Sequence, residues 1–212
     1  MSQPQKQRNL FDDGVFKPMA DIGQGKSMRL RLGLWQNNLQ FSTKINDQYA
    51  NLNLPLSEFG VFENWFKNDV DKTSRNKNLA ATLRKGRDNQ AYGMLALGVG
   101  EDGIWYIGCA DTAGTRVKHR FVPSVKFSYV NDGAPVTDAE MSYRLVCSWF
   151  KNVRSILAVS WAENYKTPDE MAYKPGGNGG GGNSYPSNNG NYNRPQGGGG
   201  APSLDFDNDI QF

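Results

Sequence analysis

The chain of 212 residues is long enough for one domain or one duplicated domain once its polar C-terminal tail is set aside. Two cysteines, Cys109 and Cys147, are too few for a disulfide framework or a zinc site, and no apolar run approaches the ~18 residues of a membrane span. The net charge of +3 is uneven, because residues 201–212 contain three aspartates and no basic residue, which leaves +6 on residues 1–200. We therefore expect a cytoplasmic protein without membrane association, whose basic body suits a polyanionic partner.

The N-terminal part of the chain predicts a loose segment followed by a β-hairpin. Residues 1–14 are polar and are expected to be loose, and residues 15–18 form a short edge-strand candidate. Apolar residues alternate with others through residues 28–35 and again through 39–45, which is typical of two half-buried antiparallel strands. The face opposite the apolar one carries Arg29, Arg31, Trp35 and Lys44.

A helix and a basic connection are predicted next. Aromatic residues recur at nearly helical spacing between residues 57 and 70, which indicates an amphipathic helix. Residues 71–90 are rich in lysine and arginine and are interpreted as a connection, with a short helix as an option around residues 78–83. The cations of this connection include Arg84, Lys85 and Arg87.

A second group of strands is predicted from residue 91 onward. Residues 92–99 and 104–109 form a hairpin around a glycine-containing loop. Residues 115–122 form the next strand, in which basic residues alternate with apolar residues and His119. The basic face of that strand consists of Arg116, Lys118 and Arg120.

The last predicted elements are a strand and a long helix. Residues 125–130 are expected to pair with the preceding strand. Thr137 and Glu140 have the spacing of a capping box, in which the threonine hydroxyl accepts from a backbone amide and the glutamate reaches back. The helix that begins there should end before Pro168.

A short repeat links the two halves. Trp-Phe-Lys-Asn at residues 65–68 recurs at residues 149–152, which is 84 positions later, and Phe41-Ser42 is matched with Phe127-Ser128. Each half runs from basic alternating strands to a helix that carries the Trp-Phe pair. We therefore predict a duplicated body over residues 15–166, with repeats at 15–70 and 91–162.

Catalysis finds little support in the sequence. His119 is the single histidine, and its place on the apolar side of a strand favours a packed core residue over a catalytic one. Cysteine, histidine and acidic residues do not occur at the spacing of a metal site. We expect neither an enzyme nor a bound cofactor or metal.

Single-stranded nucleic acid is the ligand that the predicted sheets favour. Cations two residues apart on a strand are ~6.5 Å apart and can follow phosphates, while exposed rings stack on bases of any sequence. Neither predicted helix is basic enough along one face to read duplex DNA in the usual way. Candidate stacking residues are Trp35, Tyr92, Trp105, Tyr106 and Tyr129, and candidate cations are Arg29, Arg31, Lys44, Arg84, Lys85, Arg87, Arg116, Lys118, Arg120 and Lys126.

The C-terminal tail carries the feature that favours DNA over RNA as the ligand. A Gly/Asn/Pro-rich segment at 167–203, predicted to be disordered, precedes an acidic tip at 204–212, and this order resembles the bacterial single-stranded DNA-binding protein family. That family's tip reads Met-Asp-Phe-Asp-Asp-Asp-Ile-Pro-Phe, from which Leu204, Asn208 and Gln211 depart. Six positions match the family's tip: Asp205, Phe206, Asp207, Asp209, Ile210 and Phe212. The resemblance implies that the tip docks replication and repair enzymes of the polymerase, helicase, primase or nuclease class.

Together these features predict an α+β protein that coats single-stranded DNA during replication, recombination and repair. Strands followed by a helix, twice over, resemble the PC4/whirly type of single-strand binder, and an oligonucleotide-binding (OB) β-barrel is the alternative. An unfamiliar body with a bacterial-type tip suits a phage protein acting in the host cytoplasm. The alternatives for the function are an RNA-binding protein or RNA chaperone with a self-associating tail, and a recombination annealing protein. The sequence is also compatible with a homo-oligomer.

The acidic tip is also expected to interact with the body. The most Gly/Asn-rich part of this segment, residues 175–200, is a flexible linker of about 26 residues that spans roughly 25–30 Å, so the tip can reach the basic strands of its own chain. We predict weak self-docking at low salt, which single-stranded DNA displaces.

Overall fold

Two antiparallel sheets, each followed by a helix, organise the fold in the computed structural model. It describes residues 9–23, 29–35, 38–45 and 47–164. The predicted linker and tip lie outside the described residues. The first sheet has the order β1 (Arg31–Trp35), β2 (Asn38–Ile45), β3 (Gln48–Pro55), and the second β4 (Lys77–Lys85), β5 (Gln90–Val99), β6 (Trp105–Ala110), β7 (Arg116–Arg120). The other elements are α1 (Lys17–Ala20), α2 (Leu56–Asn68), α3 (Asp138–Asn164), a 3-10 helix (Leu10–Asp12) and a two-stranded sheet of β8 (Val130–Asn131) and β9 (Ala134–Pro135). The predicted α+β class is confirmed.

The first sheet contains the predicted hairpin and one strand that the sequence analysis missed. β1 and β2 pair antiparallel, and the alternating residues Leu32, Leu39 and Phe41 are buried, as the period of two predicted. β3 extends the sheet by pairing with the full length of β2. Its Leu52 and Leu54 are buried between polar asparagines, which is the same alternating pattern.

The second sheet corrects the predicted basic connection. The β5–β6 hairpin is confirmed, but residues 77–85 form β4 instead of a connection or a short helix. Residues Leu79, Ala81 and Leu83 face inward to different degrees and alternate with polar or small residues. Pairing with β5 over nine residues of β4 outweighs the helix preference of alanine and leucine.

The N-terminal segment is better anchored than predicted. Within residues 9–14, which were expected to be loose, Leu10 and Phe11 are buried in the core. Residues 15–18 do not form the predicted edge strand, because they enter the short helix α1 with Pro18 in its first turn. Proline suits that position, where its missing N–H leaves no helical hydrogen bond unmade.

Both long helices lie close to their predicted positions. α2 begins one residue before its predicted start and ends at Asn68. At the start of α3 the Thr137 hydroxyl accepts from the Glu140 amide at 3.3 Å, whereas the Glu140 carboxylate pairs with Arg144. The capping box is therefore confirmed only for its threonine half.

The segment between β7 and α3 differs from its prediction. Residues 125–129 form no strand with β7, and instead the chain turns at Ser124 and then forms the small β8–β9 hairpin. Phe127 is exposed, whereas its proposed repeat partner Phe41 is buried in β2. The Phe41-Ser42 and Phe127-Ser128 match of the proposed repeat therefore relates a buried strand residue to an exposed residue outside the strands.

One continuous apolar core lies between the sheets and the helices. Trp105, Phe66 and Phe150 belong to it, and the ring centroids of Phe66 and Phe150 are 5.3 Å apart. The Trp149 indole donates to the Ala20 carbonyl at 2.8 Å, which fixes α3 to α1. The core thus positions the sheets through aromatic contacts with both helices.

Candidate nucleic-acid interface

The side of the first sheet that faces away from the core is polar and carries two exposed aromatic rings. Residues on this side alternate with the buried ones, and Trp35 and Tyr49 are 55% and 68% exposed. We define the outer face of the first sheet by nine residues: Arg31, Gly33, Trp35, Gln40, Ser42, Lys44, Tyr49, Asn51 and Asn53. The two rings lie on opposite edge strands of the sheet.

Hydrogen bonds between strands hold the polar side chains of this face in place. The Gln40 amide donates to the Asn53 side-chain oxygen at 3.1 Å, and the Ser42 hydroxyl donates to the Asn51 side-chain oxygen at 2.7 Å. These cross-strand pairs leave further amide donors and acceptors on the face. Such groups can bind phosphates or base edges.

The charge of the outer face is positive. Arg31 is exposed on β1, and the Lys44 ammonium lies 5.4 Å from the centroid of the Tyr49 ring. The sequence of the three strands, 31–35, 38–45 and 48–55, contains no aspartate or glutamate. Lys44 therefore lies beside the exposed Tyr49 ring. None of the three strands carries a carboxylate that would repel a phosphate.

Arg29 differs from Arg31 because it forms an ion pair with a carboxylate. Its guanidinium is 3.6 Å from the Asp21 carboxylate, whose side chain is almost fully buried. Burial raises the pKa of Asp21 above its ordinary value, and the charge of Arg29 opposes that rise. Arg29 is thus placed to compensate a buried acid.

The second sheet presents its predicted cations on β7. Arg116, Lys118 and Arg120 alternate with the buried His119, as predicted. The Lys118 ammonium lies 4.5 Å from the centroid of the Tyr106 ring, and Arg120 pairs with Asp102. Arg120 is therefore partly neutralised.

Two predicted stacking residues are buried, which corrects their interpretation. Trp105 is 1% exposed and packs edge-on against Phe66, with ring centroids 4.9 Å apart. Tyr106 is 2% exposed and lies across Gly98, where an added Cβ would be 2.5 Å from the tyrosine oxygen. Both rings are inaccessible to a base because β6 is covered on both of its sides.

Tyr92 joins the two sheets. Its hydroxyl donates to the Asn53 carbonyl and accepts from the Asn53 amide, both at 3.1 Å. The Lys85 ammonium lies 5.7 Å from the ring centroid of this half-buried tyrosine. Tyr92 therefore pairs with backbone groups of Asn53 at the edge of β3. It has this structural role in addition to being a candidate nucleic-acid contact.

The remaining predicted cations lie on exposed turns. Lys85 and Arg87 are exposed at the β4–β5 turn, where the Arg84 guanidinium donates to the Asn89 carbonyl at 3.1 Å. Lys126 is exposed between β7 and α3. None of these cations joins the outer face of the first sheet by a described contact.

The most informative residue that sequence reasoning missed is Tyr49. It was overlooked because β3 was not predicted, although Tyr49, Asn51 and Asn53 alternate with Leu52 and Leu54. That alternation was the available signal.

The histidine and one of the two cysteines are buried in the described part of the chain. His119 is 2% exposed, and one of its ring nitrogens is 2.8 Å from the Thr43 hydroxyl, which confirms the predicted core histidine. Burial raises the pKa of Cys109 to about 12, so this thiol stays protonated. Among the described residues no three His, Cys, Asp or Glu side chains are grouped to hold a metal ion.

No family model, curated protein or solved structure matches the chain. In residues 9–23, 29–35, 38–45 and 47–164, no helix is both long and apolar enough to cross a membrane. The function must therefore be inferred from the surface chemistry of the chain itself.

Proposed function

We propose that this protein binds single-stranded DNA without sequence preference, coats it, and recruits partner enzymes through its acidic C-terminal tip. The observation that carries the proposal is the outer face of the first sheet, where exposed rings and cations accompany ordered amides. Stacking accepts any base because every base has a π-face, and cations follow the backbone. These two interactions are the ones that a sequence-independent coating protein needs.

The geometry of this face suits an extended strand. Trp35 pairs with Asn38 and Tyr49 pairs with Lys44 in the sheet register. Asn38 and Lys44 are six positions apart along β2, which corresponds to about 20 Å of strand. A single strand that crosses the sheet diagonally would meet one ring near each end and Gln40 and Ser42 of β2 between them, with Arg31 to one side.

We also propose a duplicated, PC4/whirly-like architecture in preference to an OB barrel. Each open sheet precedes a helix, and the two Trp-Phe-Lys-Asn motifs bring Phe66 and Phe150 together. An offset of 84 residues relates Phe59 to Tyr143 and Phe66 to Phe150. The Phe66–Tyr143 centroid distance of 5.2 Å then corresponds to the Phe150–Phe59 distance of 5.5 Å, as a two-fold relation between the helices would produce.

The tip supplies the second half of the proposed function. By its resemblance to the bacterial family, Phe212 would enter an apolar pocket of a partner enzyme, with its carboxylate near a basic residue. Asp205, Asp207 and Asp209 would face the basic rim of that pocket. Gln211 stands where the family has proline, which would pre-order the terminus, so the affinity of the tip for partner enzymes should be lower.

Fluorescence anisotropy with labelled oligonucleotides tests the DNA-binding half. We expect tight binding to dT and dA and weaker binding to rU and duplex DNA. Trp35→Ala and Tyr49→Ala should each weaken dT binding at least fivefold, because a stacked base contributes about 1–3 kcal/mol. Trp161→Ala is the matched control, since Trp161 is 48% exposed but lies on α3.

Other outcomes would redirect the assignment. Equal or tighter binding to rU would favour an RNA-binding protein. Strand annealing faster than coating alone allows would favour an annealing protein. Unchanged dT affinity in both sheet variants would exclude the outer face as the binding surface.

A further inference from the structure

The segment between β7 and α3 presents apolar side chains to solvent. We call residues 122–136 the arm. Its exposed apolar residues are Val122, Val125, Phe127, Tyr129 and Val130, with Val125 98% and Phe127 64% exposed. A group of this size in one short segment is typical of an interaction site.

The arm is held in a defined shape by its own backbone. The Phe127 amide donates to the Ser124 carbonyl at 3.2 Å, and the Val136 amide donates to the Tyr129 carbonyl at 2.9 Å. At its end β8 and β9 pair around Asp132 and Gly133, whose φ angles of 49° and 82° suit a tight hairpin turn. Its side chains are therefore arranged before any partner binds, which lowers the entropic cost of binding.

A groove of about 240 Å³ lies at the base of the arm. About half of its lining is apolar and comes from Met19 and Ile22 near α1, Val122 of the arm, and Leu145 and Trp149 of α3. The other half is polar and includes Asp21, Arg120, Ser148 and Asn152. This volume is below the roughly 300 Å³ at which small-molecule sites begin, and it suits one or two inserted side chains. Because Val122 belongs to both features, the arm is continuous with the apolar part of the groove.

The charge of the arm favours protein over nucleic acid as its partner. Within residues 122–136 Lys126 and Asp132 cancel, whereas segments that bind nucleic acid carry an excess of cations. Phe127 and Tyr129 have rings that could stack on a base, but Val122, Val125 and Val130 do not. An apolar protein surface matches this composition better.

We propose that the arm of one chain inserts into the groove of a second copy, so that two chains form a closed dimer by exchanging arms. A two-fold axis beside Val122 would satisfy both arms and both grooves at once, because each copy brings one of each. The side chains of two arms would together bury on the order of 1,000 Å², the lower bound for a specific interface. We expect Phe127, which is 64% exposed, to be the side chain that enters the groove.

Light scattering on the full chain over a wide concentration range tests the dimer. We expect a mass twice the 23.6 kDa of the chain, and a shift to that of a single chain for Phe127→Ser combined with Tyr129→Ser. Val61→Ser combined with Trp161→Ser is the matched control, because both residues are about half exposed on helices outside the arm and the groove lining, and it should stay dimeric. Circular dichroism should show equal folding of all variants.

Cross-linking tests the placement of the arm. In a Cys147→Ser background, Phe127→Cys on one chain and Met19→Cys on another should form a disulfide only when the two are mixed. Efficient cross-linking of Phe127→Cys with itself would indicate arm-to-arm contact and overturn the proposal. A wild-type chain that stays monomeric at every concentration would overturn it as well.

The oligonucleotide titrations separate this inference from the proposed function. A wild-type monomer that binds dT would refute the dimer alone, and a dimer that binds no oligonucleotide would refute the DNA-binding function alone. An arm variant that keeps the wild-type mass but loses dT affinity would make the arm a nucleic-acid contact, against the proposal.

Discussion

At the scale of single residues, Glu63 connects the two long helices by charge. Its carboxylate accepts hydrogen bonds from Lys67 of α2 and from Arg154 of α3. Burial by itself raises the pKa of Glu63, but the hydrogen bonds from Lys67 and Arg154 lower it more, so that it lies below the ordinary 4.5. The folded state therefore favours the ionised carboxylate.

This difference predicts how stability depends on pH. A lowered folded-state pKa contributes stability above the unfolded pKa, and that contribution is lost as pH falls through the folded pKa. We expect Glu63→Gln to lower the free energy of unfolding near neutral pH and to reduce its loss below about pH 4.5, measured by urea unfolding. Glu140→Gln is the control and should change less, because the Glu140–Arg144 pair is more exposed. Equal acid sensitivity of wild type and Glu63→Gln would contradict the assignment.

At the scale of elements, the two sheets approach closely where β5 crosses β3. A Cβ added to Gly93 would lie 2.5 Å from the Leu52 side chain and 3.1 Å from the Ala110 carbonyl oxygen. Leu52 is buried, so it has little room to move away. Glycine at position 93 thus permits the contact that brings the sheets together.

Gly93→Ala is therefore expected to destabilise the fold by about 1–3 kcal/mol, the usual cost of overpacking a core. Thermal and urea unfolding measure the loss. Gly33→Ala on β1 is the matched control, since a Cβ there meets only the Gln40 amide oxygen at 4.0 Å. Similar losses in both variants would show that the cost comes from the strand backbone and not from the sheet contact.

The spacing of apolar residues was sufficient to predict the strands and the helix that have one buried face and one exposed face. The β1–β2 hairpin and α2 each place apolar residues on one face, so their patterns are clear in the sequence. β4 was missed because its conformation is decided by its pairing with β5, and the sequence pattern of residues 77–85 alone does not reveal that pairing. Residues 125–129 look like a strand by composition, but the turn at Ser124 leads them away from β7.

The candidate site was predictable only in part for the same reason. Arg31, Trp35 and Lys44 were found because their strands are half-buried, and the exposed side follows from alternation. Trp105 was misassigned because alternation identifies an exposed side only in a half-buried strand, whereas both sides of β6 are covered. Tyr49 could be assigned to the outer face only from the structure, in which β3 pairs with β2.

At the scale of the whole molecule, the sequence divides charge between a basic body and an acidic tip. Residues 1–200 carry +6, and the three aspartates of the tip carry the opposite sign. DNA and the tip are both anionic, so they should compete for the same cations. The predicted linker is long enough for that competition to occur within one chain.

Replacing Asp205, Asp207 and Asp209 by asparagine is therefore expected to tighten dT binding several-fold at low salt. The difference should vanish as salt rises, because exposed charges are screened beyond about 10 Å at 0.1 M salt. Anisotropy titrations at a series of salt concentrations measure both effects. Phe212→Ala is the control, because it should leave dT affinity unchanged while weakening capture of a partner enzyme. If the asparagine variant binds dT no more tightly than wild type at the lowest salt, the tip and DNA do not compete, and the tip serves recruitment alone.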